Sequence, residues 1–497
     1  MSKAKFVEGD IMRHIWVMSS TAAIGISALF VVDLLDIFFL SLLGEQELAA
    51  AVGYAGSISF FITSIGIGLS IALGALVSRA IGAKELALAK RLLLNCAVVS
   101  LVVSVFVAIV VSFSIPQLLA LVGASGKTAE LAADYLYILV PSMPVICLAM
   151  ALGAALRAVG DAKLSMMSTL CGGGVNLVFD PIFIFLLAMG IEGAALASVL
   201  ARFAVLFVSA YGVFVKHKLI GRFEFPALKQ DLKPIFAVAG PAMMTNIATP
   251  IGNVVVTRAI ADFGDSFVAA WAVLGRLTPV AFGMIFALSG AIGPIVGQNF
   301  GARQFERVRE SLTKAIQFCA AYVVCLSVCL FILKEQIIVI FAMQGEGAEL
   351  IRFFCNYIAV FFVFSGALFV ANASFNNLGK AKYSTLFNVG KATLGTIPFV
   401  YYGAQWGGVE GVLVGQVIGS ILFGTLGVWT AYRLVDKVQN SPVVAKTVSV
   451  DALDEELSPI SPNPLSSSCA QMAQINEEQD SEASNKVSEL VVGERRD

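Results

Sequence analysis

The sequence predicts an all-α membrane protein, with twelve transmembrane helices in two six-helix bundles related by pseudo-two-fold symmetry along the membrane normal. The first reason is composition: of 497 residues, 58% are hydrophobic and 13% are charged, and the mean hydropathy is +0.86. A water-soluble domain carries about 25% charged residues, so this chain lacks the polar surface to remain in water. The other two reasons are long uncharged segments and an internal sequence repeat.

Twelve segments are apolar and long enough to cross a bilayer, which takes about 20 residues for an α-helix. Hydropathy locates such segments well because unpaired backbone groups are costly in lipid. The predicted crossings are residues 15–43, 48–78, 92–126, 135–156, 164–189, 194–215, 234–257, 277–302, 315–333, 353–379, 383–402 and 411–432.

Basic residues between the crossings indicate how the chain is oriented. Nearly all of them fall on the side that holds the N-terminus, and only Lys127, Lys334 and Arg352 fall on the opposite side. Basic loops mark the cytoplasmic side, so we expect a multi-pass protein of a bacterial cytoplasmic membrane with both termini in the cytoplasm. The predicted domains are a first bundle (1–218), a cytoplasmic linker (219–233), a second bundle (234–436) and a disordered cytoplasmic tail (437–497).

The two halves of the chain repeat short motifs at a spacing of about 219 residues. The repeated pairs are Gly82-Ala83-Lys84 with Gly301-Ala302-Arg303, Gly160-Asp161-Ala162-Lys163 with Gly379-Lys380-Ala381-Lys382, and Gly190-Ile191-Glu192-Gly193 with Gly408-Val409-Glu410-Gly411. Because each unit has six crossings, both units enter the membrane from the same side. Two such bundles around a central cavity are a common plan for transporters.

Acidic residues inside the crossings of the first half are the main candidates for function, because a charge costs at least about 2.5 kcal/mol at mid-membrane. Asp33 and Asp36 share one face of the first helix. Asn176 lies four residues before Asp180, and Ser198 lies four residues before Arg202, so each of these pairs also shares a face. Carboxylates that converge inside a bundle can bind a proton or Na⁺. The alternative is a structural ion pair, for example of Asp180 with Arg202.

The second half contains basic residues at membrane depth instead. Arg276 and Lys391 can contact substrate, bridge the two bundles or extend to the membrane surface, and the sequence leaves these three readings open. The two halves are therefore chemically unequal, and we expect ion coupling to reside in the first half.

Several motifs resemble the multidrug and toxic compound extrusion (MATE) transporters over about residues 10 to 436. The carriers are DIFFLSLLG at 36–44, SRAIGA at 78–83, LRAVGD at 156–161, NLVFDP at 176–181, GAALAS at 193–198 and VGQNFGA at 296–302. Two departures are the absence of a proline at 18–22 and the residues Thr249 and Ala367 where other members carry acids. The second departure argues against a Na⁺ site in the second half.

This resemblance implies a secondary active exporter, an antiporter of amphipathic and often cationic drugs or toxic compounds driven by a H⁺ or Na⁺ gradient. The cation-coupling site would comprise Asp36, Asn176, Asp180 and Ser198, with Tyr135 nearby, and Na⁺ ligands would be Asp36, Asn176 and Asp180. Apart from the coupling ion we expect no cofactor. The expected partners are a small-molecule substrate and the lipid bilayer, with no nucleic acid and no nucleotide, and the expected state is a monomer.

Other classes of protein remain as alternatives. A lipid-linked oligosaccharide flippase of related architecture would line its cavity with bases such as Arg202, Arg276 and Lys391. An intramembrane enzyme would need a nucleophile or metal cluster at membrane depth, which the sequence does not suggest, so we expect no enzyme activity. A channel would show uncoupled conductance.

Overall fold

The computed structural model describes residues 4–41, 43 and 46–440, and over these residues the chain is helical, without a β-strand. The α-helices are α1 (Ile11–Ser41), α2 (Gln46–Gly82), α3 (Leu86–Leu121), α4 (Gly126–Leu139), α5 (Met143–Ala158), α6 (Ala162–Pro181), α7 (Gly190–Ala210), α8 (Phe225–Ala261), α9 (Asp265–Ala281), α10 (Gly283–Gly301), α11 (Phe305–Ile340), α12 (Gly345–Phe353), α13 (Phe362–Asn377), α14 (Lys382–Ala392) and α15 (Ile397–Gln439). Four crossings consist of two helical pieces each, namely α4 with α5, α9 with α10, α12 with α13, and α14 with the first part of α15.

Helix α15 takes part in two crossings. It belongs to an apolar segment of 58 residues, Lys382–Gln439, which as a straight helix would be about 87 Å long, roughly three times the hydrocarbon core. The chain turns at Gly407 and Gly408, where the backbone is not helical. Beyond the turn the chain runs back along itself, so that Gly403 lies against Gly411. The eleven apolar helical segments of the described residues therefore provide twelve crossings, which confirms the predicted fold.

The helices repeat at the same spacing as the sequence motifs. Helices α3 and α11 both have 36 residues and begin 219 residues apart. The interrupted crossings Gly126–Ala158 and Gly345–Asn377 both have 33 residues and begin the same distance apart. The repeat therefore equates α1–α7 with α8–α15, which we call the first bundle and the second bundle.

Two of the predicted domain limits can be placed beside the structure. Helix α8 begins at Phe225, within the predicted linker 219–233, and has a proline in its first turn, where the missing N–H costs nothing. The predicted tail lies outside the described residues beyond Asn440. The domain limits themselves stay a prediction.

The two bundles meet at the end of the molecule where α1 begins, which we call the basic end because Arg79, Arg157 and Arg307 lie there. Helices α2 and α10 cross at this end, and glycines allow their backbones to touch. We call this crossing the seam; it comprises Ser78, Arg79 and Gly82 of α2 with Gly297, Gln298 and Gly301 of α10. Next to it, the Arg79 Nη2 donates to the carbonyl oxygen of Asn376 at 2.5 Å.

Candidate functional site

Three helices of the first bundle carry the predicted coupling residues. Asp36 lies on α1, Asn176 and Asp180 lie on α6, and Ser198 lies on α7. Helix α6 packs against both α1 and α7. Asp180 is completely buried and Asn176 is 2% exposed, whereas Asp36 is half-buried. Two buried polar residues one helical turn apart on α6 therefore face a carboxyl group that remains partly accessible.

Asn176 connects the two carboxyl groups. In the amide orientation that satisfies its neighbours, its side-chain nitrogen donates to Asp36 Oδ1 at 2.8 Å and to Asp180 Oδ2 at 3.0 Å. The other end of the amide lies 3.5 Å from Ser198 Oγ, at the outer limit of a hydrogen bond. Because hydrogen-bond partners decide such amide orientations, the network itself assigns this one.

The cluster holds more negative charge than its neighbours neutralise. The carboxyl groups of Asp36 and Asp180 both contact the side-chain nitrogen of Asn176, so the two acids lie side by side. Asp180 Oδ1 is buried without a hydrogen-bond partner among the described residues. Two adjacent carboxyl groups away from water are stable only when a proton neutralises one of them or another cation accompanies the charged pair. The arrangement is therefore suited to taking up a small cation.

Its chemistry fits H⁺ or Na⁺ better than a transition metal. The polar groups are carboxylate, amide and hydroxyl, and their oxygens are the ligand type that hard cations prefer. Among residues 4–41, 43 and 46–440, no group of three or more His, Cys, Asp and Glu side chains could hold a metal ion.

Arg202 has a different partner from the one considered in the sequence. Its Nη1 donates to the carbonyl oxygen of Leu139 at 2.9 Å and to Ser142 Oγ at 2.7 Å. At this point the fourth crossing is interrupted, and the Met143 N–H bonds to Val140, which leaves the Leu139 carbonyl without its helical donor. Arg202 thus caps a helix break, and within the described chain it forms no ion pair with Asp180.

Three further candidates, Tyr135, Lys391 and Arg276, lie on other helices than the cluster. Tyr135 is 8% exposed on α4, near the Arg202 guanidinium. Lys391 of α14 donates to Ser365 Oγ of α13 at 2.9 Å, a contact within the second bundle. Arg276 is exposed on α9. The side chain of Asp33, a further predicted member of the site, lies outside the described residues.

Sequence reasoning missed the polar contacts at the basic end. Gln298 is fully buried, and its Nε2 donates across the seam to the carbonyl oxygen of Ala158 at 2.7 Å. The available signal was the repeat of Gly82 as Gly301, which marks equivalent positions. A repeat shows that two positions are equivalent in the two halves, but it does not show that they contact each other.

The MatE family model matches residues 22–182 and 241–402, one stretch in each bundle and together more than half of the chain. A FAD transporter of Shewanella oneidensis is 26% identical over 439 residues, covering 87% of this chain and 97% of the relative. Multidrug export protein MepA of Staphylococcus haemolyticus is 23% identical over 439 residues, covering 87% and 96%.

Solved structures share the same fold. A MATE protein in complex with MaL6 has a TM-score of 0.82 and 23% identity, covering 89% of this chain and all of that one. A MOP superfamily transporter from Pyrococcus furiosus has a TM-score of 0.83 and 23% identity, covering 89% and 99%.

The twelve-helix fold and the extent of the match define a multi-pass membrane transporter of the secondary exporter class. The chain belongs to the MatE family. The predicted class is thereby confirmed, and the oligosaccharide flippase is not favoured.

Proposed function

We propose that this protein is a cation-coupled antiporter that exports amphipathic, often cationic compounds and takes up H⁺ or Na⁺ at Asp36 and Asp180. The observation that carries the proposal is the completely buried Asp180, joined to Asp36 through Asn176, with no basic partner among the described residues. Ser198 completes the polar cluster, and we include Asp33 of the first crossing and Tyr135 of the fourth crossing in the proposed site.

Two relatives support a broad substrate range. One is named for FAD and the other for multidrug export. FAD and typical drugs share a planar aromatic part and a polar part, and an adaptable apolar cavity suits such compounds. We therefore propose amphipathic aromatic compounds as substrates, of which cationic drugs are the first to test.

Coupling arises because the cation and the substrate shift the same conformational equilibrium in opposite directions. Neutralisation of the cluster by a cation removes the repulsion between α1 and α6 and stabilises one arrangement of α1. If that arrangement holds substrate less tightly, then cation and substrate lower each other's affinity by the same factor. The two bundles then alternate the opening of the central cavity between the two membrane faces.

We place the basic end in the cytoplasm, because basic loops are retained on that side. The protein then resides in the cell membrane as a monomer, with substrate and lipid as its partners. Arg202 and Lys391 act within their own bundles, as their bonds to Leu139 and Ser365 suggest. A cavity lined by bases, which the flippase alternative requires, would need these side chains to be free.

The test is efflux of a fluorescent cationic dye from cells that produce Asp36→Asn or Asp180→Asn. The matched control is Asp134→Asn, which makes the same change at an exposed residue of α4. We expect both cluster variants to lose gradient-driven efflux at normal membrane insertion, and the control to retain it. Unimpaired efflux by Asp36→Asn and Asp180→Asn would refute the assignment of the site.

A further inference from the structure

Residues 4–10, which precede α1, lie in a recess between the two bundles at the basic end. Lys5–Val7 form one turn of 3₁₀-helix. Phe6 is only 1% exposed, although it lies outside all crossing helices, and it belongs to the same apolar cluster as Val296 of α10 and Val308 of α11. A large apolar side chain that precedes the crossings is thus buried between residues of both bundles, since its ring also contacts His14 of α1.

The polar groups of this segment are bound by side chains of the second bundle. The Phe6 N–H donates to Gln298 Oε1 at 2.9 Å. Its carbonyl oxygen accepts from Asn299 Nδ2 and from Arg307 Nη2, each at 3.1 Å. Arg307 Nη2 also donates to the carbonyl oxygen of Gly9 at 3.1 Å. Both backbone groups of Phe6 are therefore satisfied by the partner bundle, as buried backbone requires.

The same residues also hold the first bundle. Lys5 Nζ donates to the carbonyl oxygen of Gly160 at 3.1 Å, in the turn after α5. Gln298, which binds Phe6 through its oxygen, donates through its nitrogen to the carbonyl oxygen of Ala158 at the end of α5. One fully buried amide therefore joins residues 4–10, α5 and α10.

We propose that residues 4–10 are a latch that holds the two bundles together at the basic end and must leave its recess before this end can open. If the bundles separate at the seam, then Gln298 cannot keep both Phe6 and Ala158, and the Phe6 side chain loses its pocket. Because the latch continues directly into α1, which carries Asp36, an axial shift of α1 would move both the latch and Asp36. This last link rests on the proposed function, whereas the latch itself does not.

The experiment measures opening at the seam with a reporter, Ser78→Cys. Ser78 is completely buried and its Oγ lies 3.3 Å from Asn377 Oδ1 across the seam. The rate at which residue 78 reacts with a membrane-impermeant maleimide, added on the basic side and read by peptide mass spectrometry, reports how often the seam opens. The tested variants are Phe6→Ala and Arg307→Gln, and the matched control is Val7→Ala, the half-buried neighbour.

We expect residue 78 to react about tenfold faster in Arg307→Gln, because the hydrogen bonds from this charged donor to Phe6, Gly9 and Asn299 are lost, and faster still in Phe6→Ala. Val7→Ala should react as the reporter alone does. If Phe6→Ala does not insert, Arg307→Gln decides. Unchanged reactivity in the inserted variants, or an equal increase in Val7→Ala, would overturn the latch. Adding Asp36→Asn should leave the effect of Arg307→Gln intact, so failure of the coupling site is read separately.

Discussion

Substitution of Gly82 by alanine should shift the basic end from its closed arrangement towards an open one. A Cβ added to Gly82 would lie 2.7 Å from both the carbonyl carbon and the Cα of Gln298, in the backbone of the opposite bundle. Ordinary contacts between carbon atoms are about 3.5–4.0 Å, so α2 and α10 would have to move apart by about 1 Å. Such overpacking costs about 1–3 kcal/mol, which corresponds to a change of about 5- to 150-fold in the closed-to-open ratio.

The assay is a distance measurement across the basic end. Spin labels on cysteines at the exposed residues Glu85 and Glu306, in a background without native cysteines, report the separation of the two bundles by pulsed electron resonance. We expect Gly82→Ala to shift the distance distribution towards longer values and to slow substrate efflux. Gly301→Ala should do the same, because its Cβ would lie 2.9 Å from the carbonyl carbon of Arg79.

Two glycines on the same helices provide matched controls. A Cβ on Gly74 of α2 has its nearest neighbour at 3.6 Å, and one on Gly290 of α10 has none within 4 Å. Alanine at these interior positions raises helix propensity without touching the other bundle. If Gly74→Ala and Gly82→Ala gave the same distance distribution, the reasoning about the seam would be wrong.

Two further predictions concern buried or partly buried acids at the basic end. Asp231 is fully buried and accepts hydrogen bonds from Arg91 at 3.0 Å and from Asn95 at 2.7 Å. Because the Arg91 side chain is 35% exposed and can still be hydrated when its partner is lost, Asp231→Asn should cost only about 2 kcal/mol of stability, measured by thermal denaturation in detergent. The inserted variant should retain dye efflux. Although burial acts to raise it, hydrogen bonds from Lys216 and His217 lower the pKa of Asp161 below its usual value. The resulting stabilisation is present above the unfolded pKa of about 3.9 and is lost as pH falls through the lower folded pKa, so the melting temperature should drop in that acidic range in the wild type and less in Asp161→Asn. If acid left the melting temperature of the wild type as unchanged as that of Asp161→Asn, this second prediction would be contradicted.

The fold could be predicted because its main cause is local in sequence. Each crossing needs an unbroken apolar segment, and the glycine motifs around Gly82 and Gly301 reveal the duplication directly. Asp36 and Asp180 could also be predicted as site residues from the local sequence, since a carboxylate in an apolar helix is conspicuous. The connection of Asp36 to Asp180 through Asn176 depends on how α1 packs against α6, which the sequence does not show. The four-residue spacing on α6, however, already placed Asn176 and Asp180 on one face.

The partners of the basic and neutral polar residues could not be predicted in this way. Arg202 binds the carbonyl oxygen of Leu139, which is available only because the fourth crossing is interrupted there. Gln298 carries no charge and lies in an apolar helix, so nothing in its neighbourhood indicates that it joins two bundles. The sequence does not show which backbone carbonyl groups accept hydrogen bonds, and most of the contacts that residues 4–10 make with the two bundles use such acceptors.

The most direct test of cation coupling is transport by purified protein in proteoliposomes, with pH and Na⁺ gradients imposed one at a time. At least one of the two gradients should drive accumulation of the dye by the wild type. Asp180→Asn should then still bind the dye but fail to accumulate it under either gradient. Accumulation by Asp180→Asn with the gradient dependence of the wild type would contradict the account.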